Sequence, residues 1–87
     1  MNRMAEQISE VDTVISGLNE IEADATVPRN VRTKIEAIIY TLKEDTELSI
    51  KINKALNELD ELASDVNLQA YTRTQIWNIM SALEKLH

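Results

Sequence analysis

Apolar residues return every three or four positions along almost the whole chain, the spacing that lays them on one face of an α-helix. Met4, Ile8, Val11, Ile15, Leu18 and Ile21 form a first stripe. Val27, Val31, Ile35, Ile38 and Leu42 form a second, and Leu48, Ile52, Leu56, Leu59 and Leu62 a third. Leu68, Thr72, Ile76, Ile79, Leu83 and Leu86 form a fourth, with one polar member. No segment of useful length alternates with period two, so no strand is predicted.

The breaks between stripes have local causes. Asp24 to Thr26 interrupts the first pattern, and the pattern predicts Thr26 as N-cap with Pro28 in the following first turn, where its missing N–H costs little. Asn67 is the corresponding cap before the fourth helix. Between the second and third helices lies E-D-T, Glu44 to Thr46, with Asp45 or Thr46 as cap. That break holds neither Gly nor Pro, so the two helices are expected either to part weakly or nearly to run together.

The chain also repeats itself. Shifted by 41 residues, Val11–Glu44 falls on Ile52–Lys85 without a gap, and eight of the 34 positions are identical. They are Leu18/Leu59, Glu20/Glu61, Asp24/Asp65, Arg32/Arg73, Thr33/Thr74, Ile35/Ile76, Ile38/Ile79 and Leu42/Leu83. Each half therefore reads as a helical hairpin: helix, Asp-led turn, helix. The period lies in the range of HEAT and armadillo repeats, but open solenoids need about three repeats or more. Two hairpins are expected to close face to face. The expected fold is all-α: one domain over residues 1–87, a four-helix up-and-down antiparallel bundle of two related hairpins, with repeat units 11–44 and 52–85.

Composition bounds the chemistry. The chain has 87 residues, of which 44% are hydrophobic, enough for one small ordered domain. There are no cysteines, which removes disulfides, thiolate metal sites and cysteine nucleophiles together and suits a reducing cytoplasm. No run approaches the roughly 18 apolar residues of a membrane span. The opening M-N-R-M-A-E-Q flows into the amphipathic pattern with no signal-peptide core. The net charge of −6 opposes binding to nucleic-acid backbones and anionic membranes.

The charges are arranged against the helix dipoles. Glu20, Glu22 and Asp24 close the first helix, and Glu58, Asp60, Glu61 and Asp65 close the third, where the field favours cations. Arg29, Arg32 and Arg73 stand in early turns, where it favours anions. The structural reading is acid–arginine attraction across each hairpin turn, pairing Asp24 with Arg32 and Asp65 with Arg73. The functional alternative is an anion site at that end, built from Arg29, Arg32 and Arg73 around two helix N-termini. The surrounding carboxylates count against it.

Two segments carry a family resemblance. D-A-T-V-P-R-N-V-R (Asp24–Arg32) and R-T-Q-I-W-N-I (Arg73–Ile79) resemble signatures of a small archaeal family, uncharacterised protein family zero-one-four-seven. The resemblance covers nearly the whole chain. It implies a compact four-helix up-and-down bundle and implies no activity, the family having no assigned function. The family's second turn usually holds prolines and a histidine; here it reads V-N-L-Q-A-Y, Val66–Tyr71, with neither.

Other constellations are excluded residue by residue. Calcium takes about six to eight oxygens from a loop of the D-x-D-x-D-G kind, which the sequence lacks. His87 is the sole histidine and ends the chain, so neither a triad nor a zinc site can be assembled. Gly17 is the sole glycine, which excludes a phosphate loop; its position mid-helix is read as exposed, with close helix approach as the alternative. No cofactor is called for.

What remains is surface. Tyr40 and Ile50 fall nearly opposite their core stripes, and Trp77 falls on the flank of the fourth helix. Trp and Tyr are frequent interface anchors. The reading favoured by the sequence is a small, non-enzymatic, cytoplasmic interaction or scaffold module. Tyr40, Ile50 and Trp77 are its candidate surface for a protein partner or for self-association. The alternative is binding of a small anion or nucleic-acid phosphate at the arginine-bearing end.

Overall fold

A computed structural model of the chain describes residues 3–86, with side chains from residue 10 onward. The side chains of Met4 and Ile8, and His87 altogether, lie outside the described residues. Four helices follow one another: α1 (Arg3–Ala23), α2 (Arg29–Lys43), α3 (Leu48–Ala63) and α4 (Ala70–Leu86). Among the described residues there is no strand.

Each helix packs against two neighbours: α1 against α2 and α4, and α3 against α2 and α4. The diagonal pairs stay apart. Short connections make sequential helices antiparallel, and the α1–α4 contact closes the ring into an up-and-down bundle of 42 × 19 × 18 Å.

The stripes become the core. Val11, Ile15, Leu18 and Ile21 face Val31, Ile35, Ile38 and Leu42 in one buried cluster, with Ile52, Leu59 and Leu62 and with Ile76, Ile79, Leu83 and Leu86. Leu48 and Leu56 pack against it half-buried. Val14, Ile39, Ala55 and Thr41 are buried as well, which widens the inward faces of α1, α2 and α3 beyond a single stripe. Thr41 satisfies its hydroxyl by donating to the Ala37 carbonyl one turn back, at 3.1 Å.

The helix starts differ from the side-chain caps that the sequence suggests. α2 begins after Pro28, which itself holds the N-cap position with φ −55° and ψ 144° and makes no side-chain cap hydrogen bond. Thr26 donates its hydroxyl to Asp24 and caps nothing. Glu47, rather than Asp45 or Thr46, precedes α3, again without a side-chain cap. Asn67 stands three residues ahead of Ala70, and its backbone N–H donates to the Asp65 carboxylate. The physical reason is shared. In both hairpin turns an Asp collects the turn's donors first, and a buried apolar residue, Val27 or Leu68, must enter the core before the next helix can start. Between α2 and α3, Glu44 is extended (ψ 147°), so those helices are clearly separated.

Candidate functional site

The two hairpin turns carry matching hydrogen bonds, each pair offset by 41 residues. The N–H of Asp24 donates to the Ile21 carbonyl and that of Asp65 to Leu62, both at 3.1 Å. Val27 donates to the Asp24 carbonyl as Leu68 does to Asp65, both at 3.1 Å. The N–H of Thr26 meets the Asp24 carboxylate at 2.9 Å, as that of Asn67 meets Asp65 at 2.9 Å. The backbone N–H of Arg32 donates to the Pro28 carbonyl and that of Arg73 to Gln69, both at 3.0 Å. The Thr33 and Thr74 hydroxyls each donate one turn back, to Arg29 and Ala70, at 3.0 Å. These are Asx-type turns: a short carboxylate accepts the N–H two residues on, which turns the chain without glycine.

Thr26 places both its N–H and its hydroxyl on the same Asp24 oxygen. Those two hydrogen bonds, with a smaller contribution from the nearby Arg32 charge, hold the Asp24 carboxyl below its ordinary value of 3.8.

The arginines end on different partners. Arg73 reaches back across its turn and donates from Nε to the Ala63 carbonyl at 3.0 Å and from Nη2 to the Asp65 carbonyl at 2.8 Å. The side-chain hydrogen bonds of Arg73 therefore terminate on main-chain oxygens at and just past the end of α3, and the Asp65 carboxylate accepts from the turn's Asn67 N–H. This resolves the apparent conflict with the dipoles. Arg73 belongs to the first turn of α4 by sequence, yet its charge lies at the C-terminal carbonyls of α3, where a cation is favoured. Arg32 occupies the equivalent position, but its Nε is buried and has no hydrogen-bond partner. Arg29, three residues earlier, is exposed. The candidate anion site thus has one member already engaged in holding the fold.

The candidate partner surface is where the helical wheel puts it. Tyr40 is 73% exposed, Ile50 58% and Trp77 54%. Sequence reasoning missed two further exposed apolar residues, Val66 at 89% and Tyr71 at 70%, both near the second hairpin turn. Their signal was available: Val66 lies between the turn donors, outside any stripe, and Tyr71 directly precedes the buried Thr72.

Grooves run along helix seams, and two of them are larger than one of about 200 Å³ between α2 and α3. One of about 520 Å³, between α1 and α2, is lined by Asn19, Glu22, Glu36, Ile39, Tyr40, Lys43 and Glu44. The other, about 450 Å³ between α1 and α4, is lined by Glu10, Thr13, Val14, Asn78, Ile79, Ala82 and Lys85. Among the described residues no group of three or more His, Asp or Glu could hold a metal ion. No described helix is long and apolar enough to cross a membrane.

Comparison with known proteins places this geometry. The model of the Uncharacterised protein family (UPF0147) matches residues 1–86. The chain belongs to that family. A UPF0147 protein of Methanocaldococcus jannaschii is 46% identical over 70 residues, spanning 79% of this chain and 75% of that one. A UPF0147 protein of Archaeoglobus fulgidus is 37% identical over 76 residues, 87% of each. A crystal structure of a UPF0147 protein from Thermoplasma acidophilum superposes with a TM-score of 0.88 at 33% identity, covering 93% of this chain and 96% of that one. A crystal structure of an unknown-function protein superposes at 0.81 and 39% identity, over 86% of both chains. UPF0147 is a family of unknown function with archaeal members, and nothing in these relatives indicates a specific activity.

Proposed function

We propose that this UPF0147 chain is a small non-enzymatic interaction module that works in the cytoplasm through protein contacts. One observation carries the reading. On a bundle that buries most of its described apolar stripe residues, Tyr40, Ile50, Val66, Tyr71 and Trp77 remain exposed. Aromatic residues of this kind anchor interfaces by covering a large area at low cost in rotamer entropy. The non-enzymatic part rests on the residue types: no nucleophile–base pair can be named among them.

Affinity purification of the tagged chain from its native cell, followed by mass spectrometry, tests the reading. A protein retained by the parent in near-equal amount and lost on Trp77→Ala or Tyr40→Ala supports it. Light scattering on the same proteins separates a foreign partner from self-association. Retention indifferent to all five exposed residues overturns it.

Arg32 favours a second reading, since its unpartnered Nε leaves a donor unused. With Arg73 committed to carbonyl oxygens, an anion at that end would rest on Arg29 and Arg32. Salt-sensitive retention on phosphate resin, abolished by Arg29→Ala, is the outcome that this alternative requires.

A further inference from the structure

We propose that the α1–α2 groove docks a lysine- or arginine-bearing segment of another protein, with Tyr40 as its aromatic wall. The proposal rests on the interaction-module reading and gives it a site and a partner chemistry.

The lining has a plain division of labour. Glu36, Tyr40 and Lys43 follow one another at spacings of four and three, so α2 lays them along one face with Ile39 beside them. Ile39 is buried and forms the apolar part of the lining, and Tyr40 adds an exposed aromatic ring. Glu22, Glu36 and Glu44 against Lys43 leave an excess of two negative charges around the groove. The α1–α4 groove has Glu10 against Lys85 and no excess. A smaller groove of about 200 Å³ at the α2–α3 seam, lined by Lys34, Ala37, Glu58 and Glu61, has an excess of one. The α1–α2 groove thus combines the larger volume with the larger acidic excess and suits a cationic partner best of the three.

The duplicated architecture shows that the fold does not require these residues. Shifted by 41 positions, Glu22, Glu36 and Tyr40 fall on Ala63, Trp77 and Ser81 at the α3–α4 seam. The same bundle position therefore accepts small, aromatic and hydroxyl side chains, and the acidic, tyrosine-walled set belongs to one seam alone. A basic side chain could lay its methylene stem on Ile39, its charge among the carboxylates and, for arginine, its guanidinium on the Tyr40 face. Nucleic acid is repelled by the same carboxylates. A second copy of this chain, with a net charge of −6, is a poor occupant as well.

The test is a titration of the isotope-labelled chain with a short synthetic peptide of lysine and leucine at helical spacing, followed by backbone amide shifts. The glutamate–leucine counterpart serves as control. Saturable shifts gathered on the groove lining are expected, weakened roughly tenfold by Tyr40→Ala. Glu36→Gln is expected to weaken binding roughly threefold, the scale of an exposed ion pair. Asp12→Asn, which removes the same charge from an exposed α1 position outside the groove, should leave affinity unchanged. Circular dichroism confirms that each variant is folded. Absence of saturable binding, equal binding of the glutamate peptide, equal loss on Asp12→Asn, or shifts gathered on the α1–α4 groove would each overturn the proposal. Should the groove fail while a native partner still depends on Trp77, the module reading stands and only this inference falls.

Discussion

Arg73, in the first turn of α4, donates from Nε to the carbonyl oxygen of Ala63, the last residue of α3, at 3.0 Å. One side chain thereby ties the end of one helix to the start of the next. Charged donors on carbonyls contribute about 1.5–3 kcal/mol when shielded, and the half-buried Arg73 should lie near the lower end, about 2 kcal/mol on Arg73→Ala. Arg73→Lys should recover only part of this, because a single ammonium cannot reproduce the two-pronged contact. Arg32→Ala should cost less than Arg73→Ala, since its Nε has no partner to lose. Urea unfolding midpoints of the three variants order these effects; equal losses at Arg32 and Arg73 would contradict the assignment.

The Asp24 carboxylate stabilises the fold in a pH-dependent way. Its folded pKa lies below 3.8, so its contribution is fully present above 3.8 and is lost as pH falls through the lowered value. Asp24→Asn keeps an acceptor oxygen for Thr26 but removes the charge. It should unfold slightly earlier than the parent at neutral pH, and the gap should close as pH falls through the lowered Asp24 pKa. Asp24→Ala, which removes both acceptors, should be less stable than Asp24→Asn across the whole range. Thermal melts from pH 2 to 7 read both differences.

Gly17 offers a stabilising substitution. It is half-buried, and a Cβ added there would lie 3.5 Å from Ile79 Cδ1 and 3.6 Å from Cγ1, ordinary van der Waals separations. Ala fits without displacing α4 and removes the helix-interior penalty of glycine, about 1 kcal/mol. Gly17→Ala should raise the melting temperature by roughly 4–8 °C in a domain of this size. A fall in melting temperature would mean that α1 and α4 need closer contact than the structure shows.

Leu18 and Leu59 hold equivalent core positions in the two halves, and both are fully buried. Leu→Ala at either site should cost about 2–5 kcal/mol. A small domain has only about 5–15 kcal/mol in total, so either variant should be strongly destabilised in urea. Trp77→Ala, by contrast, should change stability little, because its ring is more than half exposed.

By itself the sequence determined the number of helices, their inward faces and the positions of the two Asp-led turns. Each is a property of local spacing: a 3.6-residue period fixes which side chains share a face, and a run that leaves the period marks a turn. The outward direction of Tyr40, Ile50 and Trp77 was legible for the same reason. Tertiary structure decided what depends on distances between elements. It set the partners of Arg73, because a long guanidinium arm can reach a carboxylate or a carbonyl and only the placement of the α3 end selects one. It left Arg32, the same residue in the same register, with an unpartnered Nε. It determined that Gly17 faces Ile79 with room for a methyl group, where the pattern of α1 alone read as exposed surface. And it opened the acidic, tyrosine-walled groove at the α1–α2 seam, because a groove exists only in the gap between two packed helices and no single helix encodes that gap.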